Sequence, residues 1–448
     1  MLSLHLEPGE ADELKATLVL AGELGRIPLG PARVTPEGLE IAGLRLACED
    51  ECTALVGVLP RALVPLYDVP VRFERSGPPE EAPPTAAPQA PPPAWTAEVG
   101  GAVWAPLGVD ETRELLFVAT DSGSLWALSA RDGSTTWKRD LASAVRAAPT
   151  LDGDSLLVHT DGETIHRLDA ATGEAIWSRE LGVEPTERLG PDAPGAPWDF
   201  YASAVAATPE RLFVGTRAGT VHALSAADGA ELWRTDAGAA VTATPLALTD
   251  RIVVATLGGR VLALDPADGR VLWDRDLGGG IPADPVMVDG RIWVGTRAYE
   301  IQALDPADGA TAWTRYLWFS WVDSSPTVRD GVAYSGSSDA LEVLALDPAH
   351  GSSLWEASVP GWAWATPAVT ASTVVAGTVG TEGYMGPRRG SLSALDRESG
   401  ALRWRLQLPP PAEGGFWGIA SAPAVLGERL FAATLDGTVL CFGPSDPR

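Results

Sequence analysis

The spacing Ala-x-Asp-x-x-x-Gly-x-x-x-Trp returns about every forty residues over most of this chain, and it limits the fold more than any other feature. It is cleanest at Ala263, Asp265, Gly269 and Trp273. It repeats at Ala303, Asp305, Gly309 and Trp313, at Ala345, Asp347, Gly351 and Trp355, and at Ala394, Asp396, Gly400 and Trp404. Upstream, Ser129 and Ser225 take the Asp place before Trp137 and Trp233. Arg167 takes the Ala place before Asp169, Gly173 and Trp177. The Gly gives the backbone freedom that a tight turn needs. The Asp or Ser side chain can bond the backbone of that turn, and the Trp brings a large apolar face.

Each period holds four strand-like runs. In the second they are 148–151, 156–160, 164–169 and 175–181, with Asp152-Gly153 and Asp161-Gly162 as hairpin turns. Four antiparallel strands per period make a propeller blade. The Trp strands number eight, counting Trp95, and so do the strands before them, but the two series are out of phase. The chain enters on a Trp strand without a partner and leaves on 438–442 with no Trp after it. Joining the two removes two open sheet edges. The expected fold is all-β: an eight-bladed β-propeller over 95–448, closed by an N-terminal strand that completes the C-terminal blade. Trp95, Trp137, Trp177, Trp233, Trp273, Trp313, Trp355 and Trp404 are its predicted seam-filling docking residues.

Residues 1–75 lie outside the repeat. The runs 14–20, 39–46 and 69–73 read as strands, and Gly57, Pro60 and Pro65 argue against a long helix over 54–66. A small, mostly β domain is expected. Residues 76–94 are Pro/Ala-rich, which predicts a semi-rigid polyproline-like linker.

The net charge of −26 opposes nucleic-acid binding, which needs Lys and Arg against phosphate, and docking on anionic membranes. Three cysteines (Cys48, Cys52 and Cys441) do not make a disulfide framework. The start lacks a basic, apolar leader, and no run is long and apolar enough to span a membrane, so a cytoplasmic location is expected.

The repeat closely resembles the tryptophan-docking motif of pyrroloquinoline-quinone-type propellers. That superfamily includes quinoprotein dehydrogenases and the non-enzymatic propeller subunit of the outer-membrane β-barrel assembly machinery. The dehydrogenase branch implies a bound quinone, Ca²⁺, a catalytic Asp and an adjacent cysteine pair. This sequence has no Cys-Cys, and asparagine is absent. The five histidines form no ligand spacing: His166 and His222 fall on strands and His350 in a turn. No catalytic residues, metal or cofactor are expected, and the chain is read as a non-enzyme.

Seventeen Trp exceed what the repeat uses. Trp126 and Trp293 fall within strands. Trp104, Trp198, Trp318, Trp321, Trp362, Trp364 and Trp417 fall between one blade's last strand and the next blade's first, beside Phe200, Tyr201, Phe319 and Phe416. Such connections gather on one face around the channel. The rich ones belong to the connections entering five blades, four of them consecutive, which predicts an aromatic arc over about half the rim. Insertions at 184–199, 380–390 and 409–418 lie on the same face, and Asp323, Arg146, Arg217 and Arg297 could add polar contacts. Two readings stay open: loops that bury their own aromatics at the channel mouth, or a binding surface, since aromatics are enriched at interface hot spots.

The function expected is a non-catalytic protein-interaction scaffold using this aromatic face. The chain also resembles stand-alone propellers of bacterial systems with a MoxR-type ATPase, which implies a multiprotein setting. The alternative is a small-molecule or cofactor-binding propeller, a degenerate quinoprotein.

Overall fold

The structure, a computed structural model, describes side chains over residues 88–186, 188, 199–317, 320–382 and 388–443, and the backbone of seven strands before residue 75. The chain divides into two compact units, residues 1–86 and residues 87–382 with 387–448. In the first unit, Leu2–Pro8, Leu14–Leu20, Gly25–Thr35, Gly38–Ile41, Leu44–Glu49, Ala54–Leu59 and Val69–Glu74 form one sheet in sequence order. The run 39–46, read as one strand, falls on two that pair antiparallel, Glu40 opposite Arg45.

The second unit is a ring of eight blades. Blades 1 to 7 span residues 108–140, 150–180, 206–236, 246–276, 286–316, 327–358 and 368–407. Blade 8 takes Ala424–Leu426, Arg429–Ala433 and Thr438–Phe442, and its outer strand is Trp95–Glu98. Within a blade the strands run in order from a short inner strand, which lines the central channel, to the outer Trp strand. The closing register sets Trp95 opposite Cys441 and Ala97 opposite Val439. Two further backbone bonds extend it: Ala94 N–H to Cys441 O at 2.8 Å and Val99 N–H to Gly437 O at 2.9 Å.

Part of the expected linker belongs to this closure. Gln89 forms a parallel bridge with Arg405 on the outer strand of blade 7. Pro88 has no N–H, so it contributes only its carbonyl, which accepts from Arg405 N at 2.8 Å, while Ala90 N donates to Arg405 O at 3.2 Å. An extended Pro-rich segment can therefore pair through its non-Pro edge.

The eight tryptophans sit at the blade seams. Trp273 is buried against Gly309 of the next blade, and its Nε1 donates to Pro306 O at 3.0 Å. The same bond joins Trp137 to Ala170 O at 3.0 Å, Trp233 to Pro266 O at 3.1 Å and Trp355 to Arg397 O at 2.9 Å. Trp95 and Trp313 make it at 3.3 Å, to Ala130 O and Pro348 O. Trp177 packs on Gly229, but its Nε1 is buried without a hydrogen-bond partner. This is also the blade with Arg in the Ala place. Arg167 Nη1 donates at 2.5 Å to Ala226 O, the carbonyl equivalent to those the other indoles use. Trp404 packs at 5.4 Å from Phe442 of blade 8.

These geometries predict that Trp→Phe exchange is milder at Trp177 than at Trp273. The second loses a hydrogen bond worth about 1 kcal/mol in addition to packing, and the first has none to lose. Urea unfolding of the two variants checks the ordering.

Candidate functional site

Loops between second and third strands and the connections between blades share one face, and they bond to each other. Val145 N donates to Thr120 O at 3.0 Å, and Asp161 N donates to Ala144 O at 2.8 Å, so the connection between blades 1 and 2 is tied to the loop on either side. The same pair of bonds recurs at Val241 with Leu257 and at Ile281 with Arg297. Side chains on this face are thus carried by a laced ring, which suits a preorganised site.

The aromatics of this face do not spread along an arc. They converge over the channel. Trp362, Trp364, Phe200 and Trp104 form a continuous stack, with ring centroids 4.8, 5.4 and 4.6 Å apart and planes within 16°. Phe416 meets Trp104, Phe200 and Trp364 edge-on, at 6.5, 5.5 and 6.1 Å, and lies tilted at 6.1 Å from Trp362. Such offset and edge contacts are the favoured geometries of aromatic pairs. Phe200 enters from the connection before blade 3 and Trp364 from the one before blade 7, on opposite sides of the ring, so the stack crosses the axis. With Phe200 placed between Trp364 and Trp104, the expected arc becomes a plug. Tyr201 fixes it further, donating its hydroxyl to Ala420 O at 2.9 Å.

Trp104, Trp362, Trp364 and Trp417 are buried, whereas Phe200, Tyr201, Trp321 and Phe416 keep part of their surface. Trp362 Nε1 donates to Asp339 Oδ1 at 2.9 Å and Trp364 Nε1 to Ser338 Oγ at 3.0 Å. Burial raises the Asp339 carboxyl above the ordinary range, and the Trp362 hydrogen bond opposes the rise. Trp321 lies under the Arg297 guanidinium at 4.5 Å, and Arg297 grips Asp323 at 3.1 and 2.8 Å. Trp198, Trp318 and Phe319 lie outside the described residues.

Over blades 1 to 3 the face is charged. Asp121, Arg146, Asp161, Arg188, Asp199 and Arg217 alternate in sign. Arg188 takes Asp161 with two bonds at 2.7 and 2.8 Å, and Arg217 takes Asp199 at 2.7 and 3.2 Å. Arg146 stands 3.4 Å from Asp161 and 3.8 Å from Asp121, and its guanidinium lies 5.6 Å over the Trp104 ring. Burial lowers the Arg146 pKa, with Arg188 adding to the effect. These bonds tie Arg188 and Asp199 to the loops of blades 2 and 3. Sequence reasoning singled out Arg146 and Arg217 as contact residues and missed Arg188 and Asp199, which close the chain of charges.

Beneath the plug the channel leaves a cavity of about 60 Å³. That is room for a few waters. Its wall is uneven. At the wall position before each inner strand, blades 8, 1 and 2 carry Ala422, Pro106 and Ala148, while blades 4 to 7 carry Thr244, Asp284, Ser325 and Thr366. The polar half forms an inter-blade ladder: Ala204 N to Thr244 Oγ1 at 3.2 Å, Thr244 N to Asp284 Oδ1 at 2.6 Å, and Asp284 N to Ser325 Oγ at 2.8 Å. Aligning the repeats at that position would have picked out Asp284 as the one acid in the set.

Asp284 lines the cavity and keeps part of its surface accessible, and burial pushes its pKa up to about 6 against the Thr244 hydrogen bonds. A carboxyl raised in the folded state from 3.8 binds a proton there first, so stability falls as pH rises from about 4 to about 6, and the cost persists above that window. Asp284→Asn keeps the Oδ1 acceptor and removes the charge. It is expected to stabilise the fold by about 1–3 kcal/mol at pH 7.5 and to have little effect at pH 4, measured by urea unfolding at the two pH values.

The quinone and Ca²⁺ of the dehydrogenase branch do not fit these residues. The cavity has room for a few waters, and among the described residues no group of three or more His, Cys, Asp or Glu stands close enough to hold a metal ion.

The fold recurs in solved structures. BamB from Moraxella catarrhalis is 19% identical, with 80% of this chain and 99% of that one covered and a TM-score of 0.59. The computationally designed Ika8 protein is 16% identical, with 79% and 100% covered and a TM-score of 0.62. A quinohemoprotein alcohol dehydrogenase from Comamonas testosteroni is 13% identical, with 80% and 77% covered and a TM-score of 0.60. At these identities the likeness concerns the fold alone. No curated protein matches the chain. The family model described as outer membrane protein assembly factor BamB matches residues 92–197, 197–277 and 257–447, and so the chain belongs to that family of eight-bladed propellers.

Proposed function

We propose that the chain is a non-catalytic protein-interaction scaffold that receives its partner on the face closed by the aromatic plug. The observation that carries this reading is the convergence of Trp104, Phe200, Trp362, Trp364 and Phe416 from four connections of a laced ring. The buried tryptophans form the base. The half-buried rings of Phe200, Trp321 and Phe416 and the charged rows beside them are the contact surface. Aromatic and Arg side chains on a preorganised support make strong anchors, because little side-chain entropy is lost on binding. Membership in the BamB family supports a protein partner. The finer setting, a bacterial multiprotein system with an ATPase, rests on the resemblance noted in the sequence.

A pull-down from native lysate with wild-type protein and with Trp321→Ala plus Phe416→Ala tests the reading. Both residues are half-buried, so the fold is expected to persist, which circular dichroism checks. Loss of stoichiometric protein partners supports the aromatic face, and full retention by the folded double variant overturns it. The quinohemoprotein neighbour keeps a second reading in view, a cofactor-binding propeller. Native mass spectrometry decides between them: a bound quinone-sized molecule of defined mass would displace the scaffold reading.

A further inference from the structure

The cavity at the centre of the ring holds a carboxylate without a counter-charge. Three charged side chains line it: Arg146, Asp284 and Asp323. Asp323 is gripped by Arg297 at 3.1 and 2.8 Å, and Arg146 lies within 3.4 and 3.8 Å of Asp161 and Asp121. Asp284 makes no such pair among the described residues. Its neighbours act on it through burial and the Thr244 hydrogen bonds, and no charged group takes part. Thr244, Ser325 and Thr366 line the wall beside it, and Trp364 and Tyr201 also border this space.

A charge that is partly withdrawn from water is stabilised when an opposite charge joins it. A hydroxyl accepts from an N–H donor. A single carboxylate is too few ligands for a hard divalent ion, which takes six or more oxygens. An alkylammonium group asks for less: one anion, about three hydrogen-bond acceptors and an apolar wall for its carbon. We propose that this cavity binds a small primary ammonium cation, with Asp284 as counter-charge and the hydroxyls of Thr244, Ser325 and Thr366 as acceptors. Blades 8, 1 and 2, lined by Ala422, Pro106 and Ala148, give the apolar half against which a short alkyl chain lies. This goes beyond the scaffold reading and does not depend on it.

The test is thermal unfolding and titration calorimetry of the full chain at pH 7.5 with methylammonium chloride. Sodium chloride and tetramethylammonium chloride at equal ionic strength are the controls. Methylammonium is expected to raise the melting temperature in a saturable way. The controls should act at least tenfold more weakly, because sodium is small and strongly hydrated and the quaternary ion has no N–H to donate. Asp284→Asn is expected to weaken methylammonium binding at least tenfold, and Thr366→Val, which keeps shape and charge, severalfold. Lowering the pH to 5 is expected to weaken wild-type binding about tenfold as Asp284 takes up a proton. The proposal is overturned if methylammonium gives no shift beyond the controls, or if folded Asp284→Asn binds as tightly as wild type. Should that variant fail to fold, unchanged affinity in Thr366→Val overturns it equally.

Discussion

A chain beginning at residue 99 is expected to lose on the order of 5 kcal/mol or more of stability and to aggregate, whereas one beginning at residue 87 is expected to keep a folded ring. The two differ by the segment that closes blade 8. Without Trp95–Glu98 the strand Thr438–Phe442 becomes a free edge, and its N–H and C=O groups are open to pairing with another chain. The seam between blades 8 and 1 also opens, because Trp95 packs on Gly133 and bonds Ala130 O. The shorter truncation retains both the closing strand and the bridge from Gln89 to Arg405. Urea unfolding followed by circular dichroism, with light scattering for aggregation, measures the difference. Equal stability of the two chains would refute the closing role of this strand.

The seam itself supplies the second large effect. Trp273→Ala is expected to cost about 3–5 kcal/mol, the range for removing a large buried aromatic. Gly309→Ala is expected to be severe for two separate reasons. Gly309 sits at φ +72°, where a side chain is strained, and an added Cβ would stand 2.8 Å from both the Trp273 ring and the Arg275 side chain. Only the ring part of that clash depends on Trp273. In a double-mutant cycle the glycine substitution should therefore cost less once the ring is gone, with the strain and the Arg275 contact remaining. Additive costs across the four proteins would show that the ring and the turn do not share one seam.

The same pair shows how much was legible beforehand. Gly309 and Trp273 belong to different repeats, yet the spacing made both stand out, because a turn needing positive φ and a ring needing burial restrict the residue at each place. Blade number and the closing strand followed from counting. The site was legible only in part. The excess tryptophans pointed to the connections from which Trp104, Trp362 and Trp364 converge. Their arrangement as a stack across the axis was not readable, because it depends on Phe200 arriving from the opposite side of the ring. Arg188 and Asp199 were missed for a related reason: neither fills a repeat position, and their partners lie on other blades.

The sequence by itself determined the repeating unit, the eight blades and the strand that joins the ends, since local periodicity and turn chemistry act over short stretches of chain. Tertiary structure alone decided what the ring encloses. Residues some forty to two hundred positions apart meet at the channel, where Tyr201 bonds Ala420 and the Thr244–Asp284–Ser325 ladder runs from blade to blade. Burial there raises the pKa of Asp284, and the aromatic rings of opposite blades meet across the channel. Both depend on which surfaces the closed ring removes from water.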